Sequence, residues 1–249
     1  MIPVTDEGLL RGDGVFEVIR VYDGVPFALK EHLTRLERST TNLRLGWNAS
    51  KDDVERDIRR LLEARGGTSF DGCLRIVLTR GGRQLLLTEP LPPTPEQARL
   101  AYVTYSPTHL LDGVKSLSYA ANMLATRSAK ERGFDEALLV TPHGRVLEAP
   151  TSTLFWRGDD GLLATPPLDD HILASITRAY VIEATEAEER VCTKDDLEQA
   201  KEAFLASTTR EVQPVAQIEE IELKAPGKRT REAAEGLRAR IQEALAADG

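Results

Sequence analysis

The stretch VKSLSYAANML, residues 114–124, holds a single charge, Lys115, directly after the turn-like pair Asp112-Gly113. A lysine that forms a Schiff base must be available as the neutral amine, which an apolar or cationic setting favours. The uncharged residues after Lys115 are compatible with that setting, and equally with an ordinary surface lysine. Glu148 follows 33 positions later, at the end of RVLE and ahead of APTSTLF. Carboxylates at strand ends are commonly exposed. Arg35 lies roughly 200° around its helix from Leu33, at roughly 100° per residue, which fits a solvated face. In SITR (175–178), Ser175 can cap a helix beginning at Ile176. The free N–H groups and dipole of such a terminus bind phosphate, or simply end a helix. STTRE (207–211) is a hydroxyl-rich segment after a strand, either a plain ST-turn or a second wall of a phosphate cup.

These residues depend on the elements that carry them. Residues 15–29 predict a β-hairpin turning at Asp23-Gly24. Residues 30–45 and 52–66 predict amphipathic helices, the second stopped by Gly66-Gly67. Strands are expected at 74–80 and 100–105, with the proline-rich 89–97 as a loop between them. Beyond a polar segment at 106–113, a helix is expected at 119–133 and hairpins at 136–149 and 153–165. Helices within 172–186 and at 195–201, a strand at 203–207 and a terminal helix at 228–247 complete the reading. Helices and strands alternate irregularly, which argues against a doubly wound parallel sheet. No GxGxxG and no Walker loop is present.

Composition narrows the function further. The chain has 249 residues and a formal net charge of −8, which disfavours nucleic-acid and acidic-membrane partners, since phosphate contacts need a basic face. Cys73 and Cys192 form no CxxC, so neither a disulfide framework nor a zinc cluster is expected. The histidines at 32, 109, 143 and 171 lack metal-ligand spacing, so no metal site is expected. No apolar run approaches the roughly 18 residues of a membrane span. The N-terminal residues lack a basic and an apolar region, so no signal peptide and a cytoplasmic location are expected.

Taken in order, five segments resemble the class IV aminotransferases, the fold type IV enzymes that use pyridoxal 5′-phosphate (PLP). They are RGDGVFEVIRVYDGVPFALKEHLTRL, VKSLSYAANMLATRSAKERGFDEALLV, RVLEAPTSTLF, TPPLDDHILASITR and STTREVQPV, which together span nearly the whole chain. The resemblance implies a mixed α/β (α+β) chain: a smaller N-terminal α/β domain at 1–105, a linker at 106–113 and a larger C-terminal pseudo-barrel α/β domain at 114–249 that binds PLP. It implies a homodimer. It also implies that Lys115 holds PLP as a Schiff base and then moves the substrate's α-proton. Glu148 would keep the cofactor's ring nitrogen protonated, Tyr119 would contact its phenolic oxygen, and Arg35 would bind its phosphate. The N–H groups of Ile176 and Thr177 and the hydroxyl of Thr208 would complete the phosphate cup, with Thr151 and Ser152 as further cofactor contacts. The sequence departs from the family pattern at Ala149, where glycine is usual, and at Thr153, where asparagine is common; both are expected to alter packing without abolishing cofactor binding.

For the substrate, strand 15–22 places Phe16, Val18, Arg20 and Tyr22 on one face. A largely apolar face with one cation suits an apolar side chain beside a carboxylate, or a sheet face with a snorkelling arginine. Phe16, Arg20, Arg83 and Thr209 are the substrate candidates, and Arg210 is a further possible carboxylate partner. The expected reaction moves an amino group between an amino acid, of branched-chain or other apolar type, and a 2-oxo acid. The alternatives are a D-amino acid aminotransferase, an aminodeoxychorismate lyase releasing 4-aminobenzoate and pyruvate, and a non-catalytic PLP-binding protein.

Overall fold

The computed structural model describes residues 2–47 and 49–248. They form two compact units. The first comprises residues up to Pro92, Leu111–Tyr119 and residues from Ile241 on; the second comprises Pro93–Leu110 and Ala120–Arg240. The linker expected at 106–113 covers only one of these crossings, and the segment carrying Lys115 belongs to the first unit.

The first unit begins with a helix that the sequence reading does not contain, α1 (Glu7–Arg11). At five residues it is too short to show periodicity. Local chemistry makes it: the Asp6 carboxylate accepts the Gly8 N–H, and Gly12 ends it at φ 69°. Strands β1 (Gly14–Tyr22) and β2 (Val25–Pro26) form the expected hairpin. Helices α2 (Leu29–Asn42) and α3 (Lys51–Ala64) follow, with Ser50 capping α3 through the Asp53 N–H. Strand β3 (Gly72–Thr79) then turns into β4 (Gln84–Glu89), giving an antiparallel sheet in the order β2-β1-β3-β4. The sequence reading has a strand at 74–80 but misses β4; Gly81-Gly82 make the hairpin turn between them, with Gly82 at φ 72°. Val15, Ile19 and Val21 of β1 pack with Leu74, Ile76 and Leu78 of β3 against Leu33 and Leu36 of α2 and Val54, Ile58 and Leu62 of α3. One face of the sheet therefore carries the core, as alternation requires.

The second unit is built on a ten-stranded mixed sheet. Its strands are β5 (Ala98–Thr104), β6 (Glu136–Val140), β7 (Arg145–Val146), β8 (Thr153–Arg157), β9 (Leu163–Thr165), β10 (Glu188–Glu189), β11 (Cys192–Thr193), β12 (Glu202–Ser207), β13 (Glu211–Ile218) and β14 (Ile221–Glu222). The order is β10-β9-β8-β12-β13-β5-β6-β7-β11, with β14 on β13. β5 is parallel to both β13 and β6, whereas β8, β12 and β13 pair antiparallel. Helices α4 (Ala120–Glu131), α5 (Ile176–Thr185), α6 (Lys194–Glu198) and α7 (Lys228–Asp248) complete the chain. Alternate residues of β5 and β6 feed two separate cores. Leu100, Leu138 and Val140 join Leu154, Trp156 and Leu205, while Ala101, Ala137 and Leu139 meet Ala125 and Ala129 of α4. The sequence reading also lacks β13, whose proline and two glutamines blur the strand pattern. Among the described residues, no helix is long and apolar enough to cross a membrane.

Candidate active site

In the first unit, Lys115 is fixed from two sides. Its carbonyl accepts the Phe16 N–H at 3.0 Å, Leu117 N–H donates to Gly14 at 2.9 Å, and Ser116 bridges Val15, so residues 115–117 run along the start of β1. The Lys115 N–H donates to Ser39 Oγ of α2 at 3.1 Å. The preceding turn requires Gly113, at φ 69°, where a Cβ would also press on Asn42 Nδ2. The half-buried amine lies 4.6 Å from the centre of the Phe16 ring, and Tyr119 stands edge-on to that ring at 5.4 Å. Phe16 is thus the floor on which both Lys115 and Tyr119 rest.

Arg35 corrects the expectation of a solvated face: it is buried, as are Glu17 and His32. Arg35 Nε donates to Glu17 Oε1 at 2.7 Å and Nη2 to Oε2 at 2.6 Å. His32 Nδ1 lies 2.8 Å from Glu17 Oε2. His32, Arg35, Leu36 and Ser39 follow an i, i+3, i+4, i+7 stripe, so the helix buries them together. Burial alone would raise the Glu17 carboxyl, but the hydrogen bonds and charges of Arg35 and His32 outweigh it and bring the pKa down to about 2. Burial lowers His32, opposed by Glu17 and assisted by the positive charges of Arg35 and Lys115. The ionised carboxylate is acceptor-only, so neutral His32 carries its proton on Nδ1. Glu17 and His32 are the residues that sequence reasoning missed here. The available signal was a carboxylate inside the apolar row Val15, Ile19, Val21.

The substrate candidates separate. Phe16 lies at Lys115. Arg20 is committed elsewhere: Nη2 donates to both Asp71 oxygens at 2.7 and 2.9 Å, Nη1 donates to the Gly72 carbonyl at 3.0 Å and to the Val21 carbonyl, and the guanidinium lies over the Tyr22 ring. Arg83 is exposed in the β3–β4 turn. A cation that the sequence reading did not single out, Arg75, sits across from Val18 and 5.5 Å from the Phe16 ring centre, held by Glu89 through two 2.8 Å hydrogen bonds.

The second unit gathers the other candidates. Glu148 follows β7, and its carbonyl accepts the Leu139 N–H at 2.9 Å. Its Oε1 accepts the Leu173 N–H at 3.1 Å, just ahead of α5. Burial, helped by the Glu148 charge, raises the Tyr105 phenol. Ser175 caps α5 by accepting the Arg178 N–H at 3.3 Å. This leaves the N–H groups of Ile176 and Thr177 at the helix start, where no intrahelical partner exists. Ala149–Ser152 forms a tight turn closed by two backbone hydrogen bonds, and its Pro150 carbonyl accepts Asn122 Nδ2 at 3.0 Å. Thr208 and Thr209 lie in a second turn, closed by the Arg210 N–H on the Ser207 carbonyl at 3.3 Å. Thr153 pairs with Ala206, which sets Ser152 beside Ser207 where the two turns leave β8 and β12. The buried hydroxyls of Ser152, Thr153 and Ser207 have no hydrogen-bond partner among the described residues. Ala149 is buried in the core, its methyl absorbed by packing.

In the first unit, the amine on an aromatic floor, the oriented arginine and the tyrosine have the chemistry to hold a phosphate-bearing aldehyde. In the second unit, taken by itself, the carboxylate can partner a basic ring nitrogen, and the helix start and buried hydroxyls can bind phosphate. The profile of the family described as Amino-transferase class IV matches residues 14–218. The chain is 37% identical over 242 residues to a Methanocaldococcus jannaschii protein assigned as a branched-chain-amino-acid aminotransferase, covering 88% of this chain and 83% of that one. It is 31% identical over 239 residues to a D-alanine aminotransferase of Bacillus licheniformis, again covering 88% and 83%. An aminodeoxychorismate lyase of Bacillus subtilis is 29% identical over 239 residues, covering 87% and 81%. Among solved structures, the fold IV transaminase CpuTA1 of Curtobacterium pusillum superposes with a TM-score of 0.87 at 31% identity, covering 98% of this chain and 89% of that one. The architecture is that of the fold type IV PLP enzymes. The chain belongs to the class IV aminotransferase family, whose members depend on PLP.

Proposed function

We propose that this enzyme moves an amino group from an amino acid with an apolar side chain to a 2-oxo acid. The observation that carries the reading is Lys115, a half-buried amine pinned by β1 and α2 over the Phe16 ring. PLP supplies an electron sink that stabilises negative charge at the substrate's α-carbon. The chain supplies the rest. Lys115 would anchor the cofactor, and its amine would take the substrate's α-proton and deliver it to the cofactor's carbonyl-derived carbon. Glu148, oriented by the Leu173 N–H, partners the ring nitrogen. Tyr119 contacts the phenolic oxygen. Arg35, whose plane is set by Glu17, binds phosphate together with the N–H groups of Ile176 and Thr177 and the Thr208 hydroxyl. Thr151 and Ser152 are further cofactor contacts. The apolar preference is supported by the open face of the first sheet, where Phe16, Val18, Val77, Leu85 and Leu87 share one side, and by the M. jannaschii relative. The reading includes a homodimer in the cytoplasm, and sedimentation equilibrium tests the dimer.

The test is absorbance of the bound cofactor while purified holoprotein meets a panel of L- and D-amino acids. Apolar amino acids of one hand should convert it; no change with any member of the panel overturns the reading. Lys115→Ala should lose the covalent attachment, seen by mass spectrometry after borohydride reduction, and on the order of 10²–10⁴ in rate or more. The lyase relative motivates one control. Pyruvate released from 4-amino-4-deoxychorismate without an acceptor would assign the lyase reaction instead.

A further inference from the structure

Arg210, which could have served a substrate carboxylate, is engaged in a small network. It forms an ion pair with Glu136, the first residue of β6, whose side chain is only 3% exposed. Its Nη1 donates to Gln213 Oε1 at 3.0 Å, and Nη2 approaches Thr151 Oγ1 at 3.4 Å. Thr151 Oγ1 in turn donates to Glu136 Oε1 at 3.3 Å, and Gln213 Nε2 donates to the Pro95 carbonyl at 2.7 Å. One buried carboxylate therefore holds the turn after β12, which carries Thr208 and Thr209, and the turn before β8, which carries Thr151 and Ser152. The unpartnered hydroxyls of Ser152 and Ser207 sit where these same turns begin and end. Neither Glu136 nor Arg210 offers net charge to a ligand, because each neutralises the other.

We propose that the Glu136–Arg210 pair is a positioning clamp that locks the two hydroxyl-bearing turns together and so sets the enzyme's affinity for the phosphate group of its cofactor. This rests on the reading of Thr208 as a phosphate contact. The clamp acts through hydrogen-bond geometry: with either partner removed, the other is left as an uncompensated charge and the turns lose their common anchor. A clamp of this kind favours the phosphorylated cofactor and leaves attachment to Lys115 untouched.

The test compares binding of PLP and of pyridoxal, which lacks the phosphate, to apoprotein of the wild type, Glu136→Gln, Arg210→Met, Arg210→Lys and the Glu136→Gln/Arg210→Met double variant. Affinity is read from the absorbance of the lysine adduct. The PLP-to-pyridoxal affinity ratio should fall at least tenfold in each single variant, less in Arg210→Lys than in Arg210→Met. The double variant should be no worse than the worse single, as expected when two residues act as one unit. A ratio within twofold of wild type in the folded variants overturns the clamp, and so does an equal loss for both ligands. Thermal unfolding of the apoproteins identifies folded variants. If both Met and Gln substitutions unfold the chain, the ratio in Arg210→Lys decides alone. Wild type that binds PLP far better than pyridoxal yet converts no amino acid would overturn the proposed reaction and leave the clamp standing.

Discussion

Two carboxylate–arginine pairs, one in each unit, are built on different principles. Glu17 and Arg35 both sit on regular elements, β1 and α2, and meet through two short hydrogen bonds inside the first core. Glu136 is buried at a strand start, but Arg210 stands in a turn with 18% of its side chain exposed. The first pair is held by the packing around it. The second does the holding. Breaking the first should therefore cost stability, whereas breaking the second should mainly release two turns.

The largest expected effect is on the first pair. Glu17→Leu leaves Arg35 as an uncompensated buried cation, and urea unfolding of the apoprotein should show a loss of about 3–5 kcal/mol. Replacing both partners with apolar residues of similar volume should recover most of that loss, because a buried pair is often no more stabilising than good packing. The recovered double variant, Glu17→Met/Arg35→Met, should remain deficient in PLP binding. Full PLP affinity in a stable double variant would remove Arg35 from the phosphate site.

Acid should separate the units next. Glu17 has a folded value near 2 against an ordinary 4.5, so its contribution is complete above pH 4.5 and disappears as pH falls toward 2. His32 is also lowered from its ordinary 6.5, so the unfolded chain takes up a proton that the folded chain refuses, and stability drops as pH falls below 6.5. Both groups act in the same direction and in the same unit. Between pH 6.5 and 5, His32 contributes at most about 1.4 kcal/mol per pH unit, the value of one proton. His32→Asn keeps an N–H donor for Glu17 without a titrating ring, and should flatten this part of the stability profile. An unchanged slope would place the proton uptake elsewhere.

These contrasts also mark what was legible in the sequence. The cap at Ser175, the hairpin at Asp23-Gly24 and the glycine stop after α3 are local, and local chemistry reveals them. Glu17 lies in an apolar row and Arg35 on a largely polar helix face that α2 buries, but each alone looks like a solvated charge until β1 and α2 are placed face to face. Arg20 on Asp71 and Arg210 on Glu136 depend on register and turn placement across long stretches of chain, which no spacing discloses. Strand β13 is hidden because its proline and two glutamines blur the strand pattern. What could be read was the set of chemical groups; what could not was which charges neutralise one another inside the fold.

The smallest expected effect concerns the hydroxyl of Ser207. It is buried and has no partner among the described residues, so it loses its hydration without recovering a hydrogen bond. Ser207→Ala should therefore leave the apoprotein as stable as wild type or stabilise it by on the order of 1 kcal/mol, read from the urea midpoint. PLP affinity should move the opposite way, because the hydroxyl regains its hydrogen bond only when a ligand meets it. A mutation that strengthens the fold while weakening the cofactor is the signature of a polar group retained for binding. Nothing similar is expected at Glu17, where stability and binding fall together. If Ser207→Ala destabilises the apoprotein, an internal partner such as a bound water satisfies the hydroxyl, and the turn after β12 is built for packing instead of for phosphate.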